Sequence, residues 1–129
     1  MKMKIRWANL WDMPEAVGCL IANREYGDFD HRVLTYPSTR VMRAEDEDGM
    51  AVAYLPAHTG LILESLGWAP EIRAADKVEA AVKMLSAIEC EAFAAGARES
   101  FFLSSDERTN EFCRKHLGFE PVRAMRNRL

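Results

Sequence analysis

Hydrophobic and polar residues alternate at the start of the chain, where Met3-Lys4-Ile5-Arg6-Trp7 reads as a short strand. The period then lengthens. Met13, Val17, Leu20 and Ile21 recur at helical spacing behind Asp12, a good N-cap, with Pro14 in the first turn and Glu15 completing a capping box. Gly27 is the natural stop for this helix. Asp28 to Ser38 is ambiguous and reads as a short second helix with a loop closed by Pro37.

Three strand-like runs follow. Arg40 to Glu45 leads through an acidic turn ending in Asp48-Gly49, a hairpin signal, into Met50 to Leu55. A second turn at His58-Thr59-Gly60 leads into Leu61 to Trp68, which Pro70 ends. These runs are expected to form an antiparallel meander.

The longest helix is expected from about Asp76 to Ala95, where Val78, Val82, Leu85, Ile88 or Glu89, Ala92 and Phe93 keep the 3.6-residue period and Gly96 ends it. Glu99 to Leu103 is a short apolar strand. Ser104 and Glu107 then form a second capping-box pattern, opening a helix through Leu117 that stops at Gly118. Phe119 to Leu129 is read as the last strand or strands. A strand–helix–strand crossover after a meander implies a mixed α/β sheet, with Leu61–Trp68 and Glu99–Leu103 as its parallel pair. Ligands in open sheets favour the carboxyl ends of parallel strands, which puts the candidate site around Trp68 to Val78.

Composition narrows the class of partner. The 129 residues suit a single domain of one core, 49% being hydrophobic and 29% charged. A formal net charge of −3 gives no global pull toward nucleic acid or anionic membrane. Arg123, Arg126 and Arg128 near the end, and Glu45-Asp46-Glu47-Asp48, read as solvated faces. Cys19, Cys90 and Cys113 form no C-x-x-C pair, and His31, His58 and His116 are scattered, so no metal-ligand spacing emerges. Reduced thiols, a charged first eleven residues and no apolar run of about 20 residues together lead us to expect a soluble cytoplasmic protein. Trp7 and Trp68 are expected in the core, and Trp11 as a hydrophobic staple beside the first helix.

The element order and three motifs resemble the GNAT superfamily of N-acyltransferases. Ser105 to Val122, with Leu117-Gly118-Phe119-Glu120 at its centre, is similar to that family's last helix and following strand. Asp48-Gly49-Met50-Ala51-Val52-Ala53 looks like its turn into the third strand, and Ala69-Pro70-Glu71-Ile72-Arg73 sits where the family has Pro-x-x-Arg. The resemblance spans the chain except residues 28 to 39. It implies a central, mostly antiparallel sheet with one splayed parallel pair and flanking helices. It also implies acetyl-CoA as cofactor and a small-molecule or protein amine as acceptor.

In that family a glycine-bearing loop opens the long helix, whose orphan amides and dipole hold the cofactor's pyrophosphate. The matching run here is Arg73-Ala74-Ala75-Asp76-Lys77-Val78, which keeps the arginine but has Asp76 and Val78 at the glycine positions. Leu66, Trp68 and Asn110 complete the cofactor residues that the resemblance implies. Asp76 with Glu79 is expected to cap the helix from within, a gain of about 1 kcal/mol, and to weaken the anion site. Glu64 is the candidate general base, sharing an apolar strand face with Ile62, Leu66 and Trp68, a setting that raises a carboxylate's pKa. The family's acid, a tyrosine four residues before the glycine, falls on Arg114, which stays protonated and cannot serve.

Two functions therefore stand side by side. One is a GNAT-like N-acyltransferase resting on Arg73 and Glu64. The other is a non-catalytic module of that fold, a homodimer or part of a larger assembly, resting on the closed loop and the absent tyrosine. Nucleic acid and membrane are not expected partners.

Overall fold

Residues 2–22, 30–64, 66–122 and 124–129 are described by the computed structural model. The predicted helix stop at Gly27, the opening of the ambiguous segment at Asp28 and Phe29, and Arg123 lie outside these residues. The chain folds into two compact units, Met1–Thr59 with Gly96–Arg98, and Gly60–Ala95 with Glu99–Leu129. Its architecture is mixed α/β, with an antiparallel sheet, a parallel strand pair and flanking helices.

In the first unit, β1 (Lys4–Trp7), β2 (Arg40–Glu45) and β3 (Ala51–Ala57) form an antiparallel sheet in that order. Arg6 faces Arg43 across β1 and β2, and Arg43 faces Tyr54 across β2 and β3, so all three share one face. The predicted β2–β3 turn is present. The Asp46 carboxylate accepts the Asp48 and Met50 amides, each at 2.9 Å, and Gly49 supplies the positive φ of 79°. A register shift after Ala44 places Glu45 opposite Ala51, which has the form of a β-bulge. Pro56 is tolerated because β3 lies at a sheet edge.

The first helix, α1 (Met13–Ala22), is continuous with a 3-10 turn over Leu10–Asp12. Its cap is Asn9 rather than Asp12. The Asn9 side chain accepts the Trp11 and Asp12 amides, and Asp12 reaches back to the Asn9 amide at 2.7 Å. Asp12 is thus the third-position partner of a box that begins three residues earlier than expected. Trp11 is 90% exposed and staples nothing, while Trp7 lies under the Arg40 guanidinium, 3.8 Å from the ring centre, rather than in a core. The ambiguous segment contains a 3-10 turn over His31–Thr35, capped by Asp30.

In the second unit, β4 (Leu61–Leu63) and β5 (Ser100–Phe102) pair in parallel, as expected. The Leu61 amide donates to the Glu99 carbonyl and the Leu103 amide to the Leu63 carbonyl, extending the ladder by one bond at each end. The third run of the expected meander is therefore three residues long and pairs with β5, not within the hairpin sheet. It ends where β5 offers no further partner, and Gly67 and Pro70 punctuate the chain soon afterwards.

The crossover between the two strands is α2 (Ala74–Ala94), followed by Gly96 with φ of 100°. The last helix, α3 (Glu107–Leu117), is capped by Asp106, which accepts the Thr109 amide at 2.9 Å, two residues beyond the expected Ser104. Gly118 ends it in the left-handed conformation. No strand forms among the described residues after it. The predicted terminal strand is replaced by exposed irregular chain, because Pro121 removes a donor and the following arginines and asparagine favour water over a sheet face.

Among the described residues the buried apolar side chains are small, namely Ala16, Val41 and Ala97 in the first unit and Ala81 and Cys113 in the second. Such residues permit close approach of backbones but contribute less than a buried Leu or Phe. No helix of the described residues is long and apolar enough to cross a membrane.

Candidate functional site

The carboxyl end of β4 and the start of α2 are joined by residues 64 to 73, and here the second unit gathers its candidate chemistry. The approach contains a strained turn. Glu71, following Pro70, has φ of 61°, a left-handed conformation that costs a non-glycine residue roughly 1–2 kcal/mol. Arg73 follows in extended backbone, with φ of −66° and ψ of 149°, and occupies the N-cap of α2 without any side-chain cap bond.

The first rung of the helix is the Lys77 amide donating to the Arg73 carbonyl at 3.0 Å. The amides of Ala74, Ala75 and Asp76 precede it and have no intrahelical acceptor. The expected Asp76–Glu79 capping box does not form. Asp76 already lies inside the first turn, and its carboxylate is held by Arg73, at 2.9 Å from Nε and 3.3 Å from Nη2. Glu79 instead accepts from Lys83 at 2.8 Å, one turn further along. An i,i+3 ion pair with an arginine has taken the carboxylate that was expected to bond the helix amides.

Trp68 is half-buried, stacked edge-on against Phe112 of α3 at 5.7 Å, with Lys77 Nζ 5.8 Å from its ring centre. Phe112 in turn meets His116 at 5.0 Å. The α2 start thus carries Arg73 and Lys77 as cations, Asp76 as the opposing anion, and an aromatic wall to one side. Ala74 and Ala75 are exposed, whereas Val78 and Leu66 are half-buried. Asn110 places its side-chain amide on the Ser104 carbonyl at 3.2 Å, steadying the loop before α3.

Glu64 is not on a strand. It follows the last residue of β4, its side chain is 73% exposed, and it lies 3.8 Å from Arg126 Nη2. The apolar strand face expected to surround it is absent because the alternation stops at Leu63. Cys113 is buried in α3, and burial raises its thiol pKa. Arg114, at the place of the family's tyrosine, pairs with Glu111.

The most connected polar cluster lies in the first unit and was not anticipated from the sequence. Arg43 is buried on β2. Its guanidinium donates to Glu45 at 3.0 Å, to the Gly49 carbonyl at 3.0 Å and to the Tyr54 hydroxyl, and lies 3.5 Å from both Asp12 and Glu15. Tyr54 donates to Glu15 at 2.8 Å. Arg6 grips Asp12 at 2.7 and 3.1 Å and approaches Glu45 at 3.4 Å. The Arg6 hydrogen bond, reinforced by the Asn9 amide, lowers the Asp12 carboxyl to about 2. The bond from Arg43 holds Glu45 below its ordinary value. Desolvation, followed by the bond to Glu15, pushes Tyr54 up to about 12. The acidic turn and alternating strands gave no signal for this cluster, since Glu15 and Tyr54 meet across 39 residues.

No protein-family model matches the sequence, and no curated protein matches it. Among solved structures, AAC(6')-Iy in complex with the bisubstrate analog CoA-S-monomethyl-acetylneamine is similar over the full length of both chains, at 18% identity and a TM-score of 0.36.

Proposed function

We propose that the chain is a GNAT-like N-acyltransferase that holds an acyl-CoA by its pyrophosphate at the start of α2 and acylates an amine. The observation that carries this reading is the row of free amides on Ala74, Ala75 and Asp76, flanked by Arg73 and Lys77, in a strand–helix–strand crossover. Orphan amides and the helix dipole favour an anion there, and alanine side chains at the first two positions leave the backbone approachable. Arg73 and Lys77 add charge to the same pole, and Trp68 offers an apolar wall beside it.

When bound, the acyl-CoA supplies a thioester whose acyl carbon is transferred to the amine nitrogen while the thiolate leaves and takes up a proton. Glu64 is the group assigned to receive the proton that the amine gives up. It lies just beyond β4 and is open to solvent, and its contact with Arg126 is long enough to exchange for a substrate cation. Calorimetry with acetyl-CoA tests the reading. Micromolar binding, abolished by Arg73→Ala with Lys77→Ala and left intact by Glu64→Gln, is the expected result. Heat-silent titration at millimolar acetyl-CoA removes the proposal.

A second reading, a non-catalytic module of the same fold, is favoured by the Arg73–Asp76 pair. That pair engages the arginine of the motif with an internal carboxylate and leaves a negative charge at the anion pole. It predicts no acetyl-CoA binding in the wild type together with binding gained on Asp76→Asn.

A further inference from the structure

The Arg43 cluster bears on how α1 is attached. Along that helix Ala16 is fully buried and Met13, Val17 and Leu20 are half-buried, while Pro14, Glu15, Gly18, Cys19, Ile21 and Ala22 are exposed. A single buried methyl and three partly covered side chains give a small apolar attachment. Among the described residues, the polar attachment includes two sets of contacts. At the foot of the helix, Asp12 is fixed by Arg6 and by the Asn9 amide. Within its first turn, Glu15 is fixed by the Tyr54 hydroxyl at 2.8 Å and by Arg43 at 3.5 Å.

The two sides of the second contact are unequal. If Glu15 withdraws, Arg43 keeps Glu45, the Gly49 carbonyl and Tyr54, and so no bare charge is left on the sheet. Glu15, 56% exposed already, is readily taken over by water. Opening therefore avoids the large penalty that normally follows from stranding a buried ion. The foot contact is different, because Asp12 is mostly covered and doubly bonded to Arg6.

We propose that Glu15, Tyr54 and Arg43 form a latch, so that α1 opens from the three-stranded sheet as a separate element hinged at Asp12. The sheet and its hairpin turn stay closed in the open form, since the bonds from Arg43 to Glu45 and Gly49 lie wholly within them. Any change that removes the Glu15 charge or the Tyr54 hydroxyl releases the latch. This holds whether or not the chain binds acyl-CoA.

Native-state amide hydrogen exchange on the full chain tests the latch. Glu15→Gln and Tyr54→Phe are each expected to speed exchange across α1 by about tenfold, the loss of one hydrogen bond to a charged group. Amides of the β2–β3 ladder are expected to stay within about twofold of wild type, and the double variant to open no faster than the faster single one. An equal rise in α1 and the ladder would mean that the unit opens as one body, and unchanged exchange in α1 would mean that the contact holds nothing shut. Either result overturns the proposal.

Discussion

Arg73 and Asp76 are bound to each other across one helical turn, at the same place where the sequence led us to expect a carboxylate bound to backbone amides. The difference changes the chemistry of the helix start. A capping aspartate would block the anion site, whereas a side-chain pair leaves the amides free and only opposes the charge. Asp76→Asn is therefore expected to raise acetyl-CoA affinity by about three- to tenfold, by removing the like charge and releasing Arg73. Titration calorimetry reads this directly. Removing the aspartate from the first turn is expected to lower helix stability by roughly 0.3–1 kcal/mol, visible as a small drop in Tm.

Glu71 offers a second test. Its φ of 61° follows Pro70 in the turn that leads into α2. Glycine takes that conformation without the Cβ clash, so Glu71→Gly is expected to stabilise the protein by about 0.5–1 kcal/mol after its own entropic cost. A β-branched residue at this position should destabilise by more than that. Denaturant melts of the two variants check both signs.

Acid should weaken the first unit through Asp12. Its carboxyl is about 2 in the folded chain against an ordinary 3.8, so its contribution is complete above pH 4 and is lost as the pH falls toward 2. Glu45, also lowered by its arginine partner, adds to the same trend. Arg6→Met should shift the onset of acid unfolding to higher pH, followed by fluorescence of Trp7 and Trp11.

Alkali acts through Tyr54. Because its hydroxyl is pushed up to about 12 from 10.0, the neutral form is favoured on folding. The associated stability is present below pH 10 and disappears as the pH rises toward 12. Ultraviolet titration should show one phenol ionising later than those of the unfolded chain, and Tyr54→Phe should delete that late step. Glu15→Gln should bring the late step to lower pH, since the bond to that carboxylate contributes to the shift.

The legible parts of this fold were those encoded over short stretches. Asp48-Gly49, Gly96 and Gly118 act at the turn and helix ends where they were expected, because positive φ is a local demand that few residues meet. The parallel pairing of β4 with β5 followed from strand–helix–strand order. Cap positions were misplaced by two or three residues at all three helices. Each region offers two candidate residues, Asn9 and Asp12, Arg73 and Asp76, Ser104 and Asp106, and the choice between them depends on where the backbone turns. The strand expected to carry Glu64 stops at Leu63 for a related reason, since a strand ends where its partner does and the partner lies 39 residues away, with Leu61 opposite Ser100. The Arg43 cluster was illegible altogether, as it joins residues from β1, the 3-10 turn, α1, β2 and β3 that share no sequence pattern.

The spacing of the paired strands also sets an order in time. The β2–β3 hairpin closes a loop of a few residues, whereas β4 finds β5 only after the whole of α2 has been passed. Closing the longer loop costs about 2 kcal/mol more in chain entropy. The hairpin is then an early event and the parallel pair a late one. The free amides of α2 lie inside that longer loop, so the candidate site sits within the entropically costlier of the two closures.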